Sequence, residues 1–406
     1  MTSLTHDQPK LRARLAPLPL RRLQLLGCEG IIVAYFLSLF RYKIWFVTTA
    51  AVLALTVIAA LLGTVRVRGL LRDLWPIGLL FVYLIAASFQ SEFSRVALYW
   101  SAVDSIGMVV AALFWIAMRN NSSADIRMMF IRLVLISAVV AFGAYRVLPT
   151  MSRIGGLSLM FYPLALPFLW TEIIGGRHRR FALFALGVML AILFLSRSRA
   201  PLGAALLVLG LSFLWIGRTL MQRVKLGLLL TIMVTLIAVI LMSIPTTRYI
   251  VQMFVSRTID QDVMWGDVYV PAEPRDGARE SLEQLVKERF LDAQPFGIGY
   301  GTTSEHYLRI YRFPLALHNM YHAWAFEGGV FGAFIFLAIT IRHYRALRKV
   351  QQIARTMEEE LMARSLLIGT VGVFFIGMFH QMHQGPVLYM LFGLGLGLKR
   401  RVWSDG

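Results

Sequence analysis

Three short stretches of this chain hold residues whose types and spacing suit chemistry on a phosphate and a hydroxyl. The first is Leu195-Ser196-Arg197-Ser198-Arg199-Ala200-Pro201, a brief polar link between two apolar runs. A guanidinium is a planar, permanently charged fork that donates paired hydrogen bonds, so two of them at a membrane boundary suit the gripping of phosphate. Ser198 is placed to cap the helix that follows and Pro201 falls in its first turn, which leaves backbone N–H groups aimed the same way. The alternative is that both arginines merely reach to lipid headgroups.

The second is Arg279, with Arg275 one turn earlier. Residues 278–292 read as a helix, and Arg279 shares its apolar face with Leu282, Val286 and Phe290, at spacings of three, seven and eleven; Leu285 lies on that face too. A cation on such a face needs a partner, either a ligand or Glu283 four residues on. The third is Leu317-His318-Asn319-Met320-Tyr321, followed by Glu327-Gly328-Gly329 and Gly332. A histidine at a membrane surface is suited to take a proton from a hydroxyl; the alternative is a polar tip on a helix end. Read as one helix, this stretch puts His318, Tyr321, Ala325, Gly328 and Gly332 on one face, with Gly328 and Gly332 as a small pair that admits a neighbouring helix. Glu327 then lies inside an apolar run and is expected to face the bundle interior in a structural role. Asp104, His380 and His383 are further polar candidates for the same cavity. Asp260-Gln261-Asp262 has a two-carboxylate spacing used in metal-dependent transfer, but it is an isolated match in an acidic stretch.

The elements that must position these residues are membrane helices. Of 406 residues, 58% are hydrophobic and 16% charged, too little polar surface for a soluble chain of this length. Apolar runs of spanning length recur near 23–40, 44–63, 75–90, 96–118, 133–149, 154–174, 181–196, 200–217, 226–245, 320–340, 366–381 and 386–398. The net charge of +19 sits in short tracts between them, and no basic surface with interleaved aromatics suggests nucleic acid. Every short connection on one side carries at least three Lys or Arg, whereas those on the other carry none to two. The positive-inside rule therefore makes both termini cytoplasmic and the long segment 246–319 extracytoplasmic. Within that segment 246–277 reads as irregular, and Pro295, Gly297, Gly299 and Gly301 mark a turn-rich stretch after the helix. Residues 341–365 read as a charged helical hairpin or helix extension. The apolar run after the basic N-terminus lacks a small-residue cleavage site and reads as a first span. Cys28 is the single cysteine, which leaves no internal disulfide or cysteine metal site.

In order and sidedness these signals resemble the O-antigen ligase and O-antigen polymerase family. Its pattern is Ser-Arg-Gly/Ala at a helix junction, a loop arginine, and His-Asn followed by Glu-x-Gly or Glu-Gly and Gly. The matching residues are Ser198-Arg199-Ala200, Arg279, and His318-Asn319 with Glu327-Gly328 and Gly332; Gln294-Pro295-Phe296-Gly297-Ile298-Gly299 is similar to the family's Pro-Phe-Gly-x-Gly segment. The resemblance covers residues 195–334. It implies an all-α, polytopic integral membrane protein of about twelve transmembrane helices, similar to glycosyltransferases of the C type, forming one transmembrane domain over 1–406 with 246–319 inserted between spans nine and ten.

The same resemblance implies transfer of a glycan from undecaprenyl pyrophosphate. The acceptor is a sugar hydroxyl of lipid A-core in a ligase, or a second lipid-linked repeat unit in a polymerase. It further implies no metal or cofactor, with Arg199, Arg279 and Arg197 on the pyrophosphate and His318 as general base. Asn319, Tyr321, Arg275 and Glu327 would support them, on the periplasmic side of a bacterial inner membrane. A transporter of lipid-linked glycans is the alternative from another class; it would be expected to show inverted-repeat halves, and the sequence has none.

Overall fold

The computed structural model describes residues 18–37, 67–147, 154–196, 199–216, 220–244, 263–265, 268–270, 277–311, 319–379 and 385–404. A helix that is apolar all round either faces lipid or lies among other helices. The helix α6 (Ile154–Gly175) is such a helix, and its residues 160–173 are buried without interruption. Around it pack α5 (Ser123–Val147), α7 (Arg179–Leu195), α8 (Arg199–Ile216) and α14 (Met357–Gly377). Near its end the buried Arg127 and Glu172 meet each other, Arg127 Nε donating to Glu172 Oε2 at 2.6 Å. An unpaired charge there would carry a large desolvation cost.

The same core extends between α4 (Ile106–Asn120) and α15 (Pro386–Ser404), where glycines set the spacing. A Cβ added at Gly393 would lie 2.2 Å from the Ala111 carbonyl oxygen, and one at Gly397 would lie 2.6 Å from that of Trp115. Only glycine lets the two backbones come this near, the small-residue packing expected between helices in lipid. The helices α1 (Leu18–Leu37), α2 (Val67–Ser88), α3 (Ser94–Asp104) and α13 (Gly329–Ile353) complete this half. Outermost is α9 (Leu220–Ser243), whose Leu228, Ile232, Leu236 and Val239 are exposed.

Among the described residues, four helical stretches are long and apolar enough to cross a membrane: Arg68–Ser88, Ser94–Asn120, Gly329–Ile353 and Met357–Gly377. Each predicted span with described residues overlaps a helix; the span at 44–63 lies outside them. The stretch 341–365 is the expected hairpin. Its second arm starts with a capping box, in which the Thr356 hydroxyl accepts from Glu359 N and the Glu359 carboxylate accepts from Thr356 N.

Two expectations need correction. Residues 246–277 hold regular structure, because β1 (Val263–Trp265) and β2 (Val268–Val270) pair antiparallel, with Val263 opposite Val270. Six β-branched, aromatic and apolar residues flanking Gly266-Asp267 were the available signal. The second correction is that 320–340 is not one helix. It breaks into α12 (Met320–Phe326) and α13 at Glu327-Gly328, with Gly329 at a φ of 66°. The face drawn through His318, Tyr321, Ala325, Gly328 and Gly332 therefore does not continue across the break.

Candidate functional site

The break between α12 and α13 exists because another segment of chain occupies it. Gln294 to Gly301 follows α10 (Gly277–Arg289) and precedes α11 (Thr303–Tyr311), and it lies across the exposed backbone of the break. Ile298 N donates to Phe326 O at 3.0 Å and Gly299 N to Glu327 O at 3.1 Å. Gln294 spans both helices, its Nε2 donating to Ala325 O at 3.2 Å while its Oε1 accepts from Val330 N at 2.7 Å. Backbone groups freed by ending one helix and starting another are thus satisfied by the crossing chain, which a buried helix break requires.

Glu327 fixes the crossing from below. It is 1% exposed, and its carboxylate accepts from Gly301 N at 3.0 Å, Thr303 N at 3.3 Å and Thr303 Oγ1 at 2.5 Å. A carboxylate at the first turn of α11 also meets the positive end of that helix. The expectation that Glu327 faces the interior in a structural role is met. Helices α2 and α3 hold the other side. The Tyr83 hydroxyl donates to Gly328 O at 2.6 Å, Ser91 Oγ donates to Ile298 O at 2.5 Å, and the Tyr300 hydroxyl donates to the buried Asp104 carboxylate. Burial and the neighbouring Asp104 push the Tyr300 phenol well above its ordinary range, so it stays a donor. Gly332, one turn into α13, admits the Tyr83 ring closely.

The start of α12 is anchored to the rest of the bundle. Asn319 is its N-cap, its side-chain oxygen accepting from Tyr321 N at 2.9 Å and His322 N at 3.2 Å. The Tyr321 hydroxyl donates to Phe374 O at 2.9 Å in the last turn of α14, and Met320 packs on Gly377. One residue after Phe374, Phe375 packs against Gly203, one turn into α8. On the other flank, Leu282, Leu285 and Val286 of α10 form a small core with Tyr307 of α11 and Ala323 and Phe326 of α12. The openings of α8 and α12 are in this way linked through α14, and α10 joins α12 through the small core.

The predicted site residues fall on this frame as follows. Arg199 opens α8 and Arg279 lies in the first turn of α10. Asn319, Tyr321 and Glu327 have the contacts just given. His318, Arg197, Ser198 and Arg275 lie outside the described residues, as do His380, His383 and the stretch 260–262. His318 directly precedes the Asn319 cap in the chain, and Arg197 stands two residues before Arg199. Asp104 joins the frame as the acceptor for Tyr300.

Sequence reasoning missed Tyr83, Ser91 and Thr303, whose partners lie far away in the chain and leave no local pattern. It also missed His306 on α11, which is 9% exposed and packs edge-on against Phe93 at a ring-centroid distance of 4.7 Å. Burial holds its imidazole below the ordinary range; Glu92 and Glu327 oppose that effect, while Arg289 and Arg309 add to it. Arg309 itself pairs with Glu92, tying the end of α11 to the turn between α2 and α3.

Residues 184–337 match the family model described as O-Antigen ligase, a range that runs from α7 through the crossing segment into the first turns of α13. This range contains the motif-bearing stretch read from the sequence, and it supports a membrane enzyme of glycosyltransferase kind with O-antigen ligase or polymerase type function. With the apolar helices it makes the chain an integral membrane protein. No curated protein matches the chain.

Proposed function

Taking residues 184–337 as the O-antigen ligase family domain that they match, we propose that this protein transfers a glycan from undecaprenyl pyrophosphate to a sugar hydroxyl of lipid A-core. The observation that supports the reading is that α14 touches the openings of both α8 and α12, while α10 packs on α12 through the small core. Arg199 begins α8, Arg279 lies in the first turn of α10, and His318 immediately precedes the cap of α12 in the chain.

In the proposed reaction the acceptor hydroxyl oxygen attacks the anomeric carbon as the bond from that carbon to the pyrophosphate oxygen breaks. His318 takes the hydroxyl proton. The pyrophosphate leaves with its negative charge, which Arg199 and Arg279 stabilise, assisted by Arg197. Fixed cations in a water-poor site are strong at that task, because they need no reorganisation as charge develops. Direct displacement inverts the anomeric carbon and needs no metal. Asn319 and Tyr321 hold the chain on which His318 is carried, and Glu327 and Arg275 support the frame.

The basic clusters support the orientation. Arg72, Arg342, Lys399 and Arg400 lie around one pocket at the start of α2 and the middle of α13, away from the crossing segment. Under the positive-inside rule that side is cytoplasmic, with both termini, and 246–319 faces the periplasm of a bacterial inner membrane.

The test is transfer in vitro with purified protein, undecaprenyl-pyrophosphate-linked glycan, lipid A-core and EDTA. Glycan on lipid A-core, with inverted configuration, supports the ligase. Glycan that lengthens on its own carrier makes the protein a polymerase. Retained configuration would reject direct displacement.

A further inference from the structure

We propose that the pocket between the start of α2, the middle of α13 and the end of α15 binds the phosphate of an anionic membrane lipid. The cavity has a volume of ≈ 230 Å³ and is lined by Arg72, Arg342, Lys399 and Arg400 with a single carboxylate, Asp73. That carboxylate is buried and accepts from Trp115 Nε1 at 3.1 Å, and among the described residues none of the four cations has an ion-pair partner.

The cations are gathered in spite of their repulsion. Lys399 Nζ and Lys349 Nζ both lie 4.5 Å from the centroid of the Trp403 ring. Arg342 donates from Nη2 to Arg72 O at 3.0 Å, and its Nε is buried with no partner among the described residues. Arg400 lies against the backbone at Gly69, where an added Cβ would stand 3.2 Å from Nη2. Guanidiniums fixed with free donors beside an ammonium make a fork for phosphate oxygens.

The surface beside the pocket selects the source of that phosphate. Leu71, Trp75, Leu79 and Val82 are exposed and fall on one face of α2, a helix apolar enough to cross a membrane. Trp75 lines the pocket while belonging to this face. A headgroup in the pocket would therefore continue into acyl chains along α2, which a free phosphate does not use; basic pockets between helices at a membrane surface suit such lipids. The site is separate from the candidate active site. Arg72 is roughly 16 Å along α2 from Tyr83.

The experiment is native mass spectrometry of the full-length protein in neutral detergent. It is titrated with cardiolipin, phosphatidylglycerol, phosphatidylcholine and, separately, inorganic phosphate. The expected result is affinity for the two anionic lipids about tenfold or more above phosphatidylcholine. The double variant Lys399→Gln with Arg400→Gln loses that preference, while Arg345→Gln, an exposed cation outside the pocket, keeps it. If the double variant does not fold, Arg72→Gln replaces it, since Arg72 is exposed. Equal anionic-lipid affinity in wild type and pocket variants overturns the proposal. So does an equal loss in Arg345→Gln, or binding of inorganic phosphate with no preference among the lipids.

Discussion

Gly297 and Gly329 face each other where the crossing segment meets the helix break. Their φ angles are 83° and 66°, and a Cβ built on either would stand 2.5 Å from the backbone nitrogen of the other. The same added atoms would fall 2.2 Å from Glu327 O and Pro295 O respectively. Close approach and left-handed backbone thus both demand glycine at each position.

Gly297→Ala and Gly329→Ala should each detach the crossing segment. The backbone conformation alone costs about 1–3 kcal/mol in a residue with a Cβ, and the overlap adds to it. Limited proteolysis is expected to open cleavage within 291–303 in both variants, with a lower unfolding temperature. Wild-type resistance in both would show that the two backbones can separate without consequence.

Glu327→Ala should be worse for stability than Glu327→Gln. Alanine leaves Gly301 N, Thr303 N and the Thr303 hydroxyl facing an empty buried space, a loss of about 2–3 kcal/mol or more. Glutamine keeps one acceptor oxygen. Thermal unfolding in detergent reads the difference, and identical melting of the two variants would assign the carboxylate a role other than holding this frame.

His318→Ala is expected to lower transfer by about 10²–10⁴-fold while the protein inserts and melts normally. Asn319→Ala should behave differently. Loss of the cap costs about 1 kcal/mol of stability, and the drop in rate comes from displacement of His318, so Asn319→Asp, which keeps the acceptor, restores both. A wild-type rate in His318→Ala would remove it from the mechanism.

His306 supplies a pH dependence whose sign follows from its burial. Its folded pKa lies below the ordinary value of 6.5, so as pH falls through that value the unfolded chain binds the proton first. Stability is therefore complete above the ordinary value and declines as pH drops towards the lowered one. Melting followed from about pH 7.5 to about pH 5 should show that decline, and His306→Gln should flatten it. A variant with the wild-type slope would place the dependence on another group.

The sequence by itself determined the helical membrane character, a helical hairpin or extension at 341–365, the loop helix with Leu282, Leu285 and Val286 on its buried face, and the turn-rich Pro295–Gly301 stretch. It also picked out the motif residues, including an interior Glu327. Those properties are written in composition and in periods of three to four residues, which act between near neighbours. Tertiary structure decided that 320–340 breaks, that Glu327 holds the start of α11, and that α14 anchors the openings of both α8 and α12. An apolar run reads as one helix whether or not a distant segment offers hydrogen bonds at its middle. Gln294, Ile298 and Gly299 offer them here, from about thirty residues away, and Tyr83 adds its own from far earlier in the chain. Such partners satisfy backbone groups only after folding brings them together, so no local pattern announces them.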